Sequence, residues 1–218
     1  MSELSLDSLP LEQQHLVRTV TARIAPGYSG TFGAETVERF VLDSLARLLP
    51  TAKVTAYLPV LAEKFTKDRL RALARIESAE PPETPGVLFL CVHNAGRSQM
   101  AAGWLRHLAG DTAVVWSGGS EPGSEINRLA VAAMSEVGVD ITTEFPKPWT
   151  EEIVRAADVV ITMGCGDACP IFPGTRYEDW TLDDPSELDL DGVRLVRDDI
   201  RTRVEALMAS LDLTIPAR

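Results

Sequence analysis

Apolar side chains recur every three to four positions across residues 11–24, 34–49 and 54–76, the period that gathers them on one face of a helix. In the second of these segments Val37, Phe40, Val41, Leu45 and Leu48 share a face, and in the third Leu58, Leu61, Phe65 and Leu73 do. Pro26-Gly27 and Pro50-Thr51 separate the segments, because proline cannot continue a helix from within. No stretch here alternates with the period of a strand, so residues 1–80 are expected to form a small all-α three-helix bundle. A core of that size is modest and gains by packing on something else, which predicts homodimerisation through this region. The proline-rich segment from Glu80 to Gly86 then stiffens the chain as a linker. Beyond it the pattern changes. Short apolar runs at 87–91, 113–117 and 159–163 alternate with helical periods at 98–108, 127–137 and 193–211. Strands alternating with helices predict an α/β domain over residues 86–218, a mostly parallel sheet flanked by helices.

Charge narrows the partners. Of the formal −11, none comes from residues 1–80, which hold ten basic and ten acidic side chains, so the excess acid lies in 81–218. No nucleic-acid footprint results, and a reading of the N-terminal helices as a DNA-binding regulator finds no recognition-helix pattern to support it. A negative surface also repels anions at range, so any anion site must rest on local donors. No apolar run nears the roughly 18–20 residues of a membrane span, and MSELSLDSLP lacks the basic and apolar stretches of a secretory leader, which predicts a cytoplasmic protein. Three cysteines make a poor disulfide framework and point to reactive or redox thiols.

The chemistry concentrates where the run Val87-Leu88-Phe89-Leu90-Cys91 reads as a buried strand and Ser98 opens a helix. Between them, the N–H groups of Val92, His93, Asn94, Ala95, Gly96 and Arg97, with that of Ser98, can turn inward as an oxyanion cradle. The helix N-terminus adds partial positive charge, and Arg97, six positions after the cysteine, can fork onto two oxygens. The same field favours a thiolate at Cys91, to which Ser98 could donate its hydroxyl. Asn94 and Gly96 are residue types that accept left-handed backbone. His93 either tunes the thiol or acts as a hydrogen-bonded spacer; His15 and His107 belong to no constellation. A lone cysteine ending an apolar strand is usually a core thiol. Cys-x5-Arg-Ser between strand and helix makes this one a nucleophile instead.

Cys91 to Ser98 resembles the active loop shared by low-molecular-weight tyrosine phosphatases and thioredoxin-coupled arsenate reductases, and residues 86–211 are similar to that fold throughout. Ser98-Gln99-Met100-Ala101 followed by Gly103-Trp104 resembles the reductase branch, since phosphatases usually place a proline after the serine. Trp116-Ser117-Gly118-Gly119 and Trp180-Thr181-Leu182-Asp183-Asp184-Pro185 agree with it. The resemblance implies that Asp184, the aspartate before proline, is the general acid, with Asp183 as its rival. Ser186-Glu187-Leu188 stands where the phosphatases carry aromatic residues, and Cys165 and Cys169 stand where the reductases keep two further redox thiols. It therefore implies arsenate reduction through a Cys91/Cys165/Cys169 relay, with phosphate or sulfate as competing anions. Only three residues separate the later thiols where six are common, and which of them attacks Cys91 first stays open. The implied reductant is external, thioredoxin or alternatively mycothiol, with no bound cofactor or metal. A tyrosine phosphatase using the same Cys91, Arg97 and Asp184 is the alternative.

Some reductases of this fold hold potassium behind the loop, on residues matching Asn94 and Ser117 together with two carboxylates. Here the carboxylate positions carry Ala102 and Lys147. The resemblance thus implies either that the Lys147 ammonium supports the loop in the ion's place or that it lies in solvent between Pro146 and Pro148.

Overall fold

Three helices make up the first of two units, Met1–Glu77, in the computed structural model, which describes residues 6–53, 55–164 and 171–214. They are α1 (Leu11–Ile24), α2 (Ala34–Leu48) and α3 (Leu58–Glu77). Val17, Val20 and Ile24 of α1 and Val37, Val41, Leu45 and Leu48 of α2 are buried, as their periodicity requires. The third helix departs from expectation in two ways. It begins at Leu58 rather than 54, a residue outside the described part, because Pro59 is tolerated in a first turn and disfavours helical backbone just before it. Leu58 and Phe65 are buried as expected, but the face runs on through Ala62, Arg69, Leu70 and Ala72, leaving Leu61 and Leu73 half-buried. Small residues permit close helix approach there. Buried Arg69 is satisfied by Asp43 at 2.7 Å and Ser44 Oγ at 2.9 Å, and its guanidinium lies 4.8 Å from the Phe40 ring centroid.

The second unit, Ser78–Arg218, contains β1 (Gly86–Cys91), α4 (Arg97–Ala109), β2 (Val114–Gly119), α5 (Arg128–Glu136), α6 (Glu151–Ala156), β3 (Val159–Met163), β4 (Arg176–Asp179) and α7 (Leu190–Ser210). The four strands are parallel in the order β2-β1-β3-β4. β1 is buried along its whole length, and Val87, Phe89 and Cys91 join one core with α4 and α7 residues such as Met100, Leu105, Val193 and Ile200. Caps set several helix starts: Asn127 Oδ1 accepts from the amides of Leu129 and Ala130, and Asp189 from that of Gly192. Two elements have little sequence signal. β4 is Arg-Tyr-Glu-Asp, an edge strand without an apolar run, and α6 spans six residues, too few to display a period.

The order in which strands are added reverses about β1, whose neighbours are β2 on one side and β3 on the other. Cys91 therefore ends at the switch point of a parallel sheet, where loops splay apart and leave a crevice. It pairs in register with Gly119 and with Met163. Among the described residues no helix is long and apolar enough to cross a membrane.

Candidate active site

The loop between β1 and α4 is built by turning its carbonyl groups outward. Ser120 N–H donates to Cys91 O, Glu121 N–H to Val92 O, Gly123 N–H to His93 O, and Asn127 N–H to Ala95 O, at 2.8 to 3.3 Å. Gln99 Nε2 takes Asn94 O at 3.1 Å, and Met100 N–H takes Gly96 O at 2.9 Å. Each carbonyl points opposite to the N–H of the same peptide, so the amides of Val92 to Arg97 are left for the interior. α4 has no side-chain cap on Gly96, and its first amides are open to an anion as well.

Asn94 supplies the left-handed turn, with φ +47°. Gly96, expected to share that role, does not: its φ is −132°. Its value lies in close approach, since a Cβ there would sit 3.2 Å from Pro185 Cγ. The next contacts are tighter still. A Cβ on Gly119 would lie 2.6 Å from Val92 O, and one on Gly118 would lie 2.9 Å from the Trp149 backbone. The segment from Ser120 to Asn127 is the support that sequence reasoning missed, although Gly118, Gly119 and Gly123 were its visible signal.

Cys91 Sγ receives the Asn94 amide at 3.2 Å and lies 2.9 Å from Ser98 Oγ. It lines a cavity with His93, Ala95, Gly96, Arg97, Asn127, Asp184, Pro185 and Ser186. Across it Arg97 Nη2 donates to Asp184 Oδ2 at 2.6 Å, while Ser186 donates to Asp184 Oδ1 through its amide at 3.0 Å and its hydroxyl at 2.8 Å. Partial burial by itself would raise the Asp184 carboxyl, but the Ser186 donors, Arg97 and His93 outweigh it and hold the group below the usual carboxylate range. Asp183 is exposed and borders a different groove with Leu195 and Asp199. His93 stands at the rim, its Nδ1 bound to Glu121 O at 3.0 Å; that carbonyl only accepts, so Nδ1 carries the proton.

Cys165 and Cys169 lie outside the described residues. Gly164, immediately before them, has φ +76°, and a Cβ on it would be 3.3 Å from Arg97 Nη1. Gly164 itself thus lies against the Arg97 side chain.

Behind the loop, Asn94 Oδ1 accepts the Lys147 amide at 3.0 Å. Lys147 is not in solvent: its side chain is 1% exposed. Main-chain bonds between Gly119 and residues Lys147 and Trp149 attach this segment to the end of β2, which buries the lysine despite its flanking prolines. Its ammonium lies 3.6 Å from Glu144 Oε2, 3.4 Å from Phe145 O and 4.6 Å from the Phe145 ring centroid. A carboxylate is therefore present after all, from Glu144, which no motif indicated. Ser117 Oγ is buried with no hydrogen-bond partner among the described residues. Those residues contain no cluster of three or more His, Cys, Asp or Glu suited to a metal.

Comparison with known proteins agrees with this geometry. Residues 86–215 match the family model described as low molecular weight phosphotyrosine protein phosphatase, and residues 16–74 match a protein-tyrosine-phosphatase-like N-terminal domain. Arsenate reductase 2 of Staphylococcus epidermidis is 39% identical over 124 residues, covering 55% of this chain and 93% of that protein. The structure of a thioredoxin-dependent arsenate reductase from Corynebacterium glutamicum superposes with a TM-score of 0.82 at 44% identity, covering 91% of this chain and 97% of the other. That of an arsenate reductase in a phosphate-binding state gives a TM-score of 0.52 at 35% identity, covering 59% and 99%.

Proposed function

Since this chain belongs to the low molecular weight phosphotyrosine protein phosphatase family, we propose that it reduces arsenate to arsenite by thiol chemistry coupled to thioredoxin, with Cys91 as nucleophile. The observation that carries the reading is the strand register. Cys91 pairs with Met163, so Cys165 follows two positions beyond the partner of the nucleophile and Cys169 four later. A hydrolytic phosphatase has no use for these thiols. Ser186 also clamps Asp184 where an aromatic platform for a phenyl ring would stand.

In the proposed sequence Cys91 thiolate attacks arsenic, Arg97 and the loop amides hold the oxygens, and Asp184 protonates the departing oxygen, which leaves as water. Cys165 thiolate then attacks Cys91 Sγ; the electron pair of the sulfur–arsenic bond passes to arsenic, arsenite leaves, and a Cys91–Cys165 disulfide forms. Cys169 attacks Cys165, freeing Cys91, and the Cys165–Cys169 disulfide is reduced by the external dithiol. The test is arsenate-dependent NADPH oxidation with thioredoxin and its reductase. The full chain is expected to turn over continuously, and Cys169→Ser to release about one arsenite per site and stop. Sustained turnover by that variant would remove Cys169 from the relay. Turnover with a mycothiol system alone would replace thioredoxin, and phosphoester hydrolysis without arsenate turnover would restore the phosphatase reading.

Lys147 is read as taking the ion's part behind the loop, its ammonium facing Glu144 while its amide orients Asn94. Equal turnover in potassium and sodium chloride at matched ionic strength is expected. Lys147→Met should cost about 3 kcal/mol, the low end for breaking a buried pair, because Arg106 still faces Glu144 at 3.3 Å. A several-fold stimulation specific to potassium would show an ion site instead. For the N-terminal unit, the modest core of three helices supports homodimerisation. Sedimentation of the full chain should give a dimer; a monomer would refute that role.

A further inference from the structure

The backbone beneath the loop dictates the direction of every hydrogen bond that reaches the nucleophile. Phe145 O and Asn94 O are carbonyls and can only accept, whereas the Lys147 amide can only donate. Gln99, fully buried on α4, sets its amide nitrogen against Phe145 O at 3.0 Å, Asn94 O at 3.1 Å and Asn94 Oδ1 at 3.0 Å. Turning that amide over would place its oxygen against three acceptors. Its own Oε1 is buried with no hydrogen-bond partner among the described residues, so the side chain is held by what its nitrogen binds.

With Gln99 and the Lys147 amide both donating to Asn94 Oδ1, the Asn94 side-chain nitrogen faces Ser98 Oγ at 2.9 Å and donates to it. The single proton of Ser98 is then left for Cys91 Sγ, 2.9 Å away. Reversal of the Asn94 amide would instead draw the Ser98 proton to Asn94 and leave Ser98 to accept from the thiol. One direction of the chain matches the thiolate and the other the thiol.

We propose that Gln99 is a positioning residue for the nucleophile, sharing with the Lys147 amide the fixing of the Asn94 side chain so that Ser98 donates to Cys91 Sγ and favours the thiolate. This rests on Cys91 being the nucleophile, and it extends the site by a residue that touches no reacting atom.

The test follows alkylation of Cys91 by iodoacetamide across pH in the full chain, resolved by mass spectrometry of the Cys91 peptide. Gln99→Met fills the same space without a donor. It is expected to move the alkylation midpoint upward by about one pH unit, ~10-fold less reactive thiolate below it. Gln99→Asn, a methylene too short to span Asn94 and Phe145 together, should move it the same way by less, and decides the matter if Gln99→Met does not fold. On a Ser98→Ala background, which cuts the chain, Gln99→Met should add nothing further. An unmoved midpoint in a cooperatively melting Gln99 variant, or a shift that adds in full to that of Ser98→Ala, would overturn the proposal. No arsenate enters this measurement, so a failure of the unaltered protein to reduce arsenate would count against reduction and leave the Gln99 result standing.

Discussion

Cys91→Ser is expected to abolish arsenate reduction, by roughly 10⁴-fold or more, together with any residual phosphoester hydrolysis. The reason is local. Strand β1 delivers the side chain to a point where the Asn94 amide and the Ser98 hydroxyl both meet it, a setting that stabilises a sulfur anion. A serine hydroxyl would occupy the same point without ionising at neutral pH. The cradle itself is made of backbone amides whose carbonyls are tied to Ser120, Glu121, Gly123 and Asn127, so it should survive the substitution. Sulfate or phosphate should therefore still protect the variant against thermal unfolding while turnover disappears. Substantial arsenate turnover by Cys91→Ser would end the assignment of the nucleophile.

Asp184→Asn should lower reduction by roughly 10² to 10⁴-fold while leaving anion binding equal or about two- to five-fold tighter. Asp184 is paired with Arg97 and held below the usual carboxylate range, so at neutral pH it is ionised. As a depressed carboxylate it contributes stability that is present above the ordinary carboxylate pKa and lost as pH falls through the lowered value. An acid catalyst must carry a proton, and the anion itself provides the means. An oxyanion in the loop takes over the Arg97 fork and brings its own negative charge beside the carboxylate, both of which raise the proton affinity of Asp184. Binding of sulfate, which has no proton of its own to lose near neutrality, should then be accompanied by proton uptake, read by calorimetry in buffers of different ionisation enthalpy. Asp184→Asn removes a charge that competes for Arg97 and should abolish that uptake. Uptake unchanged in the variant, or turnover unaffected by it, would pass the acid's role to another group.

How much of this was legible without coordinates depends on the distance over which each part is assembled. The switch of apolar period after Glu80, the buried run ending at Cys91 and the five residues between it and Arg97 are local features. Strand, loop and helix follow one another in the chain, so spacing alone determines that a thiol, a guanidinium and a row of amides converge. Asp184 was singled out by resemblance, as the aspartate before a proline; what the fold adds is that its carboxylate turns to Arg97 while that of Asp183 borders a separate groove. The boundary of α3 followed proline chemistry at Pro59, and Leu58 and Phe65 are buried as their period requires, but Leu61 and Leu73 are only half-buried because the buried face runs through Ala62, Arg69, Leu70 and Ala72.

Tertiary structure decided what crosses the sheet. The amides that pull four of the loop carbonyls outward come from residues 120–127, about thirty positions after the loop, and a carbonyl that anchors Gln99 belongs to Phe145. Whether Lys147 faced solvent or protein rested on its segment pairing with Gly119 at the end of β2, and its partner Glu144 carried no motif. A sequence states which groups are able to donate, accept or ionise. Which of them meet, and in which direction each proton points, is set by parallel strands that bring together residues tens of positions apart, and by buried carbonyls that leave a neighbouring amide one way to lie.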